Sequence, residues 1–274
     1  MKKKKFLFLT LHMTHLAIFF CVLLGCSGLI FLISLTASQQ VNTEKMGKLA
    51  IVIDDFGLQR KGVREMLGLD CKLTAAIMPF LEHTEDDAED ALENGKEVII
   101  HIPMQATTHD IPSHLGPRPI TLKSSEEDIA KWIEDAREDI PEAVGANIHM
   151  GTLSSTRREI MRPVFENLLK HNMFFLDSKT SSKSVCRNLA KDAGIRFYEN
   201  EVFLEHEKKT KGYVKKQLRK AMKIARETGE CVAIGHVGYE GGLITAEAIL
   251  ELLPEFKENF VELVFLSELT PETP

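Results

Sequence analysis

The sequence has few cysteines, and it lacks an excess of positive charge outside its amino terminus. Of the five cysteines, only Cys71, Cys186 and Cys231 lie outside an apolar segment near the amino terminus. Three thiols cannot build a disulfide framework, so we interpret them as buried, small apolar residues. The formal net charge is −6, and the four lysines at positions 2–5 contribute +4 to it, which leaves −10 on the remaining chain. This balance argues against nucleic acid as a partner of the folded part.

Two glycine-rich signatures are also absent from the sequence. Neither a Gly-x-Gly-x-x-Gly motif nor a phosphate-binding loop follows the first predicted strand. Both motifs bind phosphate groups through backbone amides at the start of a helix. Their absence counts against a dinucleotide-binding fold.

The amino terminus carries one long hydrophobic run. Lys2 to Lys5 precede a nearly unbroken apolar stretch from Leu16 to Leu35. About 20 apolar residues span a bilayer, whereas the apolar core of a signal peptide usually has about 7–15. We predict a signal anchor and transmembrane helix at residues 1–36, with the lysines inside and the rest on the extracytoplasmic, periplasmic side. Cleavage near Ala37 and lipidation of Cys26 are the alternatives.

The remaining chain is predicted to form one domain at residues 48–274, after a polar linker at residues 37–47. Apolar runs rich in β-branched residues alternate with helical patterns, and these runs lack the polar alternation of strands that face water. The predicted strands are 49–53, 73–78, 98–102, 145–148, 174–176, 195–204, 232–234 and 261–266. Such alternation predicts a parallel sheet, either a closed or distorted barrel or a doubly wound sheet.

Helix starts can also be located from the sequence. Two capping boxes are predicted, Ser124 to Glu127 and Thr156 to Glu159, because a hydroxyl and a glutamate at this spacing satisfy each other's free backbone amides. The long basic segment 208–228 is predicted to be a helix with a solvated charged face and an apolar inner face.

Nearly every predicted strand ends in a charged or imidazole side chain. In a parallel α/β fold the carboxyl ends of the strands lie on one face, where such folds place their active sites. A single aspartate there is often only a helix cap, and a single histidine is often a hydrogen-bonded core residue. Five strand ends of this kind are hard to attribute to capping. We therefore predict one polar, metal-binding site formed by Asp54, Asp55, His101, His149, Asp177 and His236.

The residue types in this set indicate hydrolytic metal chemistry. Two imidazoles and a carboxylate are a common ligand set for a catalytic Zn²⁺ or similar divalent ion. Such an ion leaves a position open for water, lowers the pKa of that water toward about 7 and polarises a carbonyl oxygen. Asp54 and Asp55 would point oppositely within a strand, but at a strand–loop junction both can face the site, one as ligand and one as base.

Five ordered segments resemble the motifs of the divergent polysaccharide deacetylase family. They are LAIVIDDFG at 49–57, EVIIHIPMQ at 97–105, NIHMGT at 147–152, FLDSKT at 175–180 and AIGH at 233–236. The resemblance implies an α/β fold, a distorted seven-stranded (β/α) barrel of the glycoside hydrolase/deacetylase type. It also implies metal-dependent removal of acetyl groups from an N-acetylated polysaccharide, here one of the cell envelope.

The same resemblance implies a role for each matching residue. Asp54 matches the catalytic base and His236 the general acid, while Asp55 and His101 match metal ligands. His149 would complete the metal site.

One position departs from the pattern of the established deacetylases. Gln105 stands where their His-x-x-x-His motif has its second histidine. The residues assigned to substrate binding are Gln105, Asn147 and Asp177, and Asp177 could instead orient a histidine or supply a metal ligand.

Two other functions stay open from the sequence. The same barrel could be a catalytically degenerate module that binds a glycan or a partner in the envelope, and the replacement at Gln105 favours this alternative. The domain could also be a metal-dependent hydrolase of another class, acting on a phosphoester or a peptide. Few arginines lie near the strand ends, which argues against phosphoesters because anionic substrates favour arginine clamps.

Overall fold

The computed structural model describes residues 46–108, 115–239 and 241–272. The predicted anchor at residues 1–36 and most of the predicted linker at 37–47 lie outside these ranges. Within them, no helix is both long enough and apolar enough to cross a membrane.

The described residues contain nine strands in a single, curled, all-parallel sheet. The strands are β1 (Gly47–Phe56), β2 (Thr74–Ile77), β3 (Glu97–Met104), β4 (Gly145–Met150), β5 (Phe174–Asp177), β6 (Phe197–Glu199), β7 (Val202–Phe203), β8 (Glu230–His236) and β9 (Val261–Val264). Their order is β6-β5-β4-β3-β2-β1-β8-β7, and β9 pairs with the first four residues of β1. Each of the eight predicted strands is present, which confirms the parallel α/β class.

The two end strands of the sheet, β6 and β7, are consecutive in the chain. Between them, the backbone amide of Asn200 donates to the carbonyl of Asp177 in β5 at 3.0 Å, and that of Glu201 donates to the carbonyl of Val232 in β8 at 3.1 Å. The sheet therefore curls until one chain segment contacts both of its ends. The family resemblance implies seven strands, whereas the described residues contain nine, because the predicted strand 195–204 bends into two and because β9 pairs with the start of β1.

Helices connect the strands and cover the outer face of the sheet. Those described in full are α1 (Val63–Leu67), α2 (Thr84–Glu93), α3 (Glu126–Asp139), α4 (Arg158–Lys170), α5 (Cys186–Ala193), α6 (Lys211–Thr228) and α7 (Leu243–Glu258). The capping box of α3 uses Ser125 and Asp128, one residue later than predicted. The box predicted at Thr156 is wrong, because a 3₁₀ turn precedes α4 and the Thr156 hydroxyl donates to the carbonyl of Leu153.

Apolar side chains cover both faces of the sheet, as the absence of polar alternation predicts. On β1, Leu49, Ile51 and Ile53 pack against the helices, whereas Ala50 and Val52 face the inside of the curl. Successive side chains of a strand point to opposite faces. The position of a polar residue at a strand end therefore decides whether it faces the inside of the curl or the helices.

Candidate active site

Polar side chains extend the inner apolar rows of the sheet at the carboxyl ends of the strands. Asp54, His101 and His236 each come two residues after an inner apolar residue of β1, β3 and β8. On β4, Asn147 and His149 take inner positions because their neighbours in the strand pack against the helices. All of them except Asn147 line one cavity of about 530 Å³, which we call the central cavity. Strand alternation alone thus brings these residues from four strands together.

Asp55 reaches the same cavity by a distortion of the backbone. Regular alternation would direct its side chain toward the helices, but its φ is +71° and the pairing of β1 with β2 shifts register between Ile53 and Phe56. Met150 at the end of β4 and Lys179, two residues after β5, are also left-handed, with φ of 59° and 60°. Each such residue costs on the order of 1–3 kcal/mol, and strain of this kind concentrates at functional sites. The distortion lets two adjacent aspartates line one cavity.

Asp55, His101 and His149 bring three potential metal ligands together. Oδ1 of Asp55 lies 3.0 Å from Nδ1 of His149 and 3.4 Å from Nε2 of His101, and the two ring nitrogens are 3.2 Å apart. Oδ1 of Asp55 is buried, yet neither ring aligns with it in hydrogen-bond geometry. A buried polar atom without a hydrogen bond needs another partner, and a shared cation would provide one. These residues therefore fit a divalent ion, and they form a group that could hold one.

Asn147 links this ligand group to Asp54. The Asn147 side chain is fully buried; its Nδ2 donates to Oδ1 of Asp54 at 2.8 Å, and its Oδ1 lies 2.6 Å from Nδ1 of His101. An ionised carboxylate only accepts hydrogen bonds, so the amide nitrogen must face Asp54 and the amide oxygen must face the histidine. In the neutral form of His101, Nδ1 then carries the proton, and Nε2, which lies on the side of Asp55, keeps its lone pair. The amide sets the tautomer that a metal ligand requires.

His236 has a carboxylate partner, Glu205, that sequence reasoning missed. Nδ1 of His236 lies 3.1 Å from Oε2 of the buried Glu205, whose Oε1 accepts from the backbone amide of His236 and from the Thr245 hydroxyl. Glu205 directly follows the apolar run Val202 to Leu204. The strand-end pattern that identified the other residues would have identified this one too.

The three charged neighbours of this region have different pKa shifts. Burial lowers the pKa of His236, but the carboxylates of Glu205, Asp55 and Asp54 outweigh it and raise that pKa to about 9. Burial raises the pKa of Asp54 above its usual range despite the nearby His101 and His236. Burial acts in the same direction on Asp55, yet the adjacent imidazoles hold the pKa of Asp55 well below its usual range. The two aspartates differ because the nitrogens of two imidazoles lie 3.0 Å and 3.4 Å from the Asp55 carboxylate, whereas Nε2 of His101 lies 3.8 Å from the Asp54 carboxylate.

Two residues of the predicted site are placed elsewhere. Asp177 occupies an outer position of β5 and accepts from the backbone amide of Lys179 at 2.8 Å and the hydroxyl of Ser184 at 2.6 Å. Gln105 donates to the carbonyl of Thr107 at 2.8 Å and accepts from the amide of Leu122 at 3.0 Å. Neither residue lines the central cavity, and both stabilise loops.

The substrate-binding assignments therefore gain no support from the geometry. Asp177 is not brought into the site, because strand alternation turns it outward. Asn147 is enclosed between Asp54 and His101 and has no exposed surface. The side chains that do form the rim include Tyr239, which is 76% exposed and whose backbone amide donates to Oε1 of Gln59.

Two comparisons with known proteins concern sequence and fold. The chain is 32% identical over 190 residues to the uncharacterized protein YibQ of Escherichia coli K12, covering 69% of this chain and 58% of YibQ. The crystal structure of the uncharacterized protein ATU2773 of Agrobacterium tumefaciens C58 superimposes with a TM-score of 0.74 at 20% identity, covering 81% of this chain and 89% of that one. The chain thus shares its fold with ATU2773, while it spans little more than half of YibQ.

A further comparison extends the fold to deacetylases. The catalytic domain of a peptidoglycan N-acetylglucosamine deacetylase from Eubacterium rectale superimposes with a TM-score of 0.52 at 12% identity, covering 83% of this chain and 92% of that domain. At this identity the likeness establishes a common fold and no more. The family model described as divergent polysaccharide deacetylase matches residues 51–270, which contain every residue of the site described above. The chain therefore belongs to the divergent polysaccharide deacetylase family.

Proposed function

We propose that the chain is a metal-dependent hydrolase that removes acetyl groups from an N-acetylated polysaccharide of the cell envelope. The observation that carries this proposal is the convergence of Asp55, His101 and His149 in the cavity that also contains Asp54 and His236. The three potential metal ligands, a base and an acid would then surround the same substrate position.

Zn²⁺ is the proposed ion, held by Asp55, His101 and His149, because two imidazoles and one carboxylate are a typical catalytic zinc set with an open position. When bound, such an ion supplies Lewis-acid chemistry toward a carbonyl oxygen and toward water. The three side chains hold their ligand atoms close together before binding, within 3.4 Å of one another. This arrangement reduces the reorganisation that binding requires.

Asp54 and His236 are the proposed base and acid. The two residues are register partners on the adjacent strands β1 and β8. Asp54 accepts a proton from the water that attacks the amide carbonyl, and its raised pKa makes it a stronger base than an exposed aspartate. His236, held in its protonated form by Glu205, donates its proton to the departing nitrogen as the carbon–nitrogen bond breaks. The products are acetate and an amino sugar.

The place of the domain in the cell is part of the proposal. The apolar run from Leu16 to Leu35, preceded by four lysines, supports a membrane anchor with the domain on the extracytoplasmic side. An envelope glycan would be accessible there.

Acetate release from chitooligosaccharides and peptidoglycan fragments tests the reaction. We expect Asp54→Asn and His236→Gln to slow release by about 10²–10⁴-fold, the usual contribution of a general acid or base. His171→Gln is the matched control, because His171 pairs with Glu134 on the surface, away from the central cavity. Release at the unmodified rate in both site variants would contradict the assigned roles. Metal binding without acetate release from any substrate would instead favour a module that binds a glycan without turnover.

A further inference from the structure

A second cavity adjoins the central cavity. It has a volume of about 630 Å³ and lies beside the first half of α6, so we call it the α6 cavity. Three residues, Thr180, Phe203 and His236, line both cavities. A ligand whose reacting group lies beside His236 can therefore extend directly into the α6 cavity.

Helix α6 presents three different stripes of side chains. The first stripe forms ion pairs with α7: Lys211 with Glu247, Lys215 with Glu251 and Arg219 with Glu255. The second stripe is apolar and buried in the core: Val214, Leu218, Ala221, Met222 and Ala225. The third stripe, Tyr213, Gln217 and Lys220, has the spacing i, i+4, i+7 of one helix face and lines the α6 cavity. Two stripes thus have structural partners, and the third faces open space.

The third stripe carries polar groups that the fold does not use. The side chains of Tyr213, Gln217 and Lys220 make neither a hydrogen bond nor an ion pair with any residue that the structure describes. By contrast, Lys179 on the other side of the cavity is held by Glu199 at 2.8 Å. A phenol, an amide and an ammonium along one face are able to donate to, and in part accept from, the hydroxyl and acetamido groups of a sugar.

The wall between the two cavities is aromatic. The Phe203 ring is nearly parallel to the rings of His236 and His206, with centroids 6.3 Å and 6.2 Å away and interplanar angles of 15° and 23°. Glu201 and Glu207 also line the α6 cavity, so groups of both signs are present. A mixed lining of this kind does not select an ion of one sign. It suits a neutral, polyhydroxylated ligand that packs an apolar ring face against aromatic side chains.

We propose that the α6 cavity binds the saccharide unit adjacent to the one whose acetyl group lies in the central cavity. This inference rests on the proposed function, and it makes a chain of at least two N-acetylhexosamine units the substrate. A free monosaccharide would reach the central cavity and leave the third stripe of α6 without a partner.

The test follows the Gln217 side-chain amide of the full chain by NMR while N-acetylglucosamine or its linear tetramer is added. We expect the tetramer to shift this amide signal and the monosaccharide to leave it unchanged. In the double variant Tyr213→Ala, Gln217→Ala, we expect tetramer affinity to fall about tenfold, the effect of losing two modest hydrogen bonds. Lys215→Ala, which removes a side chain from the ion-pairing stripe, is the matched control and should leave that affinity unchanged.

Two results would overturn the inference. One is an unshifted Gln217 amide at saturating tetramer; the other is an equal loss of affinity for monosaccharide and tetramer in the double variant. Neither readout requires turnover. An unmodified chain that shifts the Gln217 signal but releases no acetate would contradict the deacetylase and support the sugar subsite, so the two failures are distinguishable.

Discussion

Two clusters of charged residues in this molecule show opposite arrangements. Between α6 and α7, Lys211, Lys215 and Arg219 each contact a glutamate, and every charge has a nearby opposite charge in contact with solvent. In the central cavity, His101 is buried and Asp55 and His149 are mostly enclosed, and their closest contacts do not satisfy the carboxylate oxygen of Asp55. Charges that satisfy one another on a surface contribute little beyond solubility and modest stability. Buried ionisable groups that converge without satisfying one another's hydrogen-bonding capacity indicate a binding site, here for a metal ion.

Removing the side-chain amide of Asn147, which links Asp54 to His101, should have the largest effect on stability and on metal affinity. Asn147→Leu would leave Oδ1 of Asp54 and Nδ1 of His101 buried without partners, at about 1–3 kcal/mol each. We expect the free energy of unfolding to fall by about 2–6 kcal/mol in total, as measured by urea denaturation. Metal affinity should also weaken about 10–100-fold, because the tautomer of His101 would no longer be fixed.

Asn167→Leu is the control for this variant. The Asn167 amide is also mostly buried, but both of its partners lie within its own helix: it donates to the carbonyl of Pro163 and accepts from the ammonium of Lys170. Its removal should cost about 1 kcal/mol and leave metal affinity unchanged. Equal stability losses in the two variants would show that Asn147 is an ordinary buried amide.

The pair of His236 and Glu205 should make a smaller contribution to the free energy of unfolding, and this contribution should depend on pH. The pKa of His236 is raised to about 9 in the folded chain, against about 6.5 when unfolded. The stabilisation from its proton is therefore fully present below about pH 6.5 and is lost as the pH rises through about 9. In metal-free protein, we expect the unmodified chain to lose on the order of 2–3 kcal/mol across this window.

Glu205→Gln sharpens this prediction, because it keeps the size of the side chain and removes the charge that contributes most to the raised pKa. In that variant the loss of stability between pH 6.5 and 9 should be smaller, and the His236 titration followed by NMR should move to lower pH. A pH profile identical to that of the unmodified chain would contradict the proposed pairing.

The smallest effect should come from the surface cluster. Lys215→Ala removes one exposed partner of Glu251, whose carboxylate also pairs with Lys211 at 2.8 Å. We expect a small decrease in melting temperature at low ionic strength that disappears at high salt, because solvent and ions screen exposed pairs. A large decrease in melting temperature that persists at high salt would show that the packing of α6 on α7 depends on these charges. It would contradict the claim that the surface cluster contributes little to stability.

Strand alternation explains how much of the site could be predicted from the sequence. Asp54, His101, His149 and His236 follow apolar runs, and the parallel fold brings the ends of those runs to one face. The outward position of Asp177 depends on which residues of β5 face the helices, and a run that is apolar on both faces does not reveal this.

Other features depend on contacts between segments distant in the sequence. Asp55 faces the cavity only because β1 shifts register against β2. The enclosure of Asn147 between Asp54 and His101 joins residues 93 and 46 positions apart. Glu205 lies in a bend after β7, and its contact with His236 requires the curl that brings β7 beside β8. No local pattern encodes these distances.

The most direct test of the account is the stoichiometry of divalent metal in the purified chain, measured by elemental analysis and by calorimetric titration with Zn²⁺. We predict one ion per chain, lost in Asp55→Ala and in His149→Ala while both variants stay folded, and retained in the surface control His171→Ala. An unmodified chain without metal binding, or full occupancy in either ligand variant, would contradict the claim that these converging side chains form a metal site.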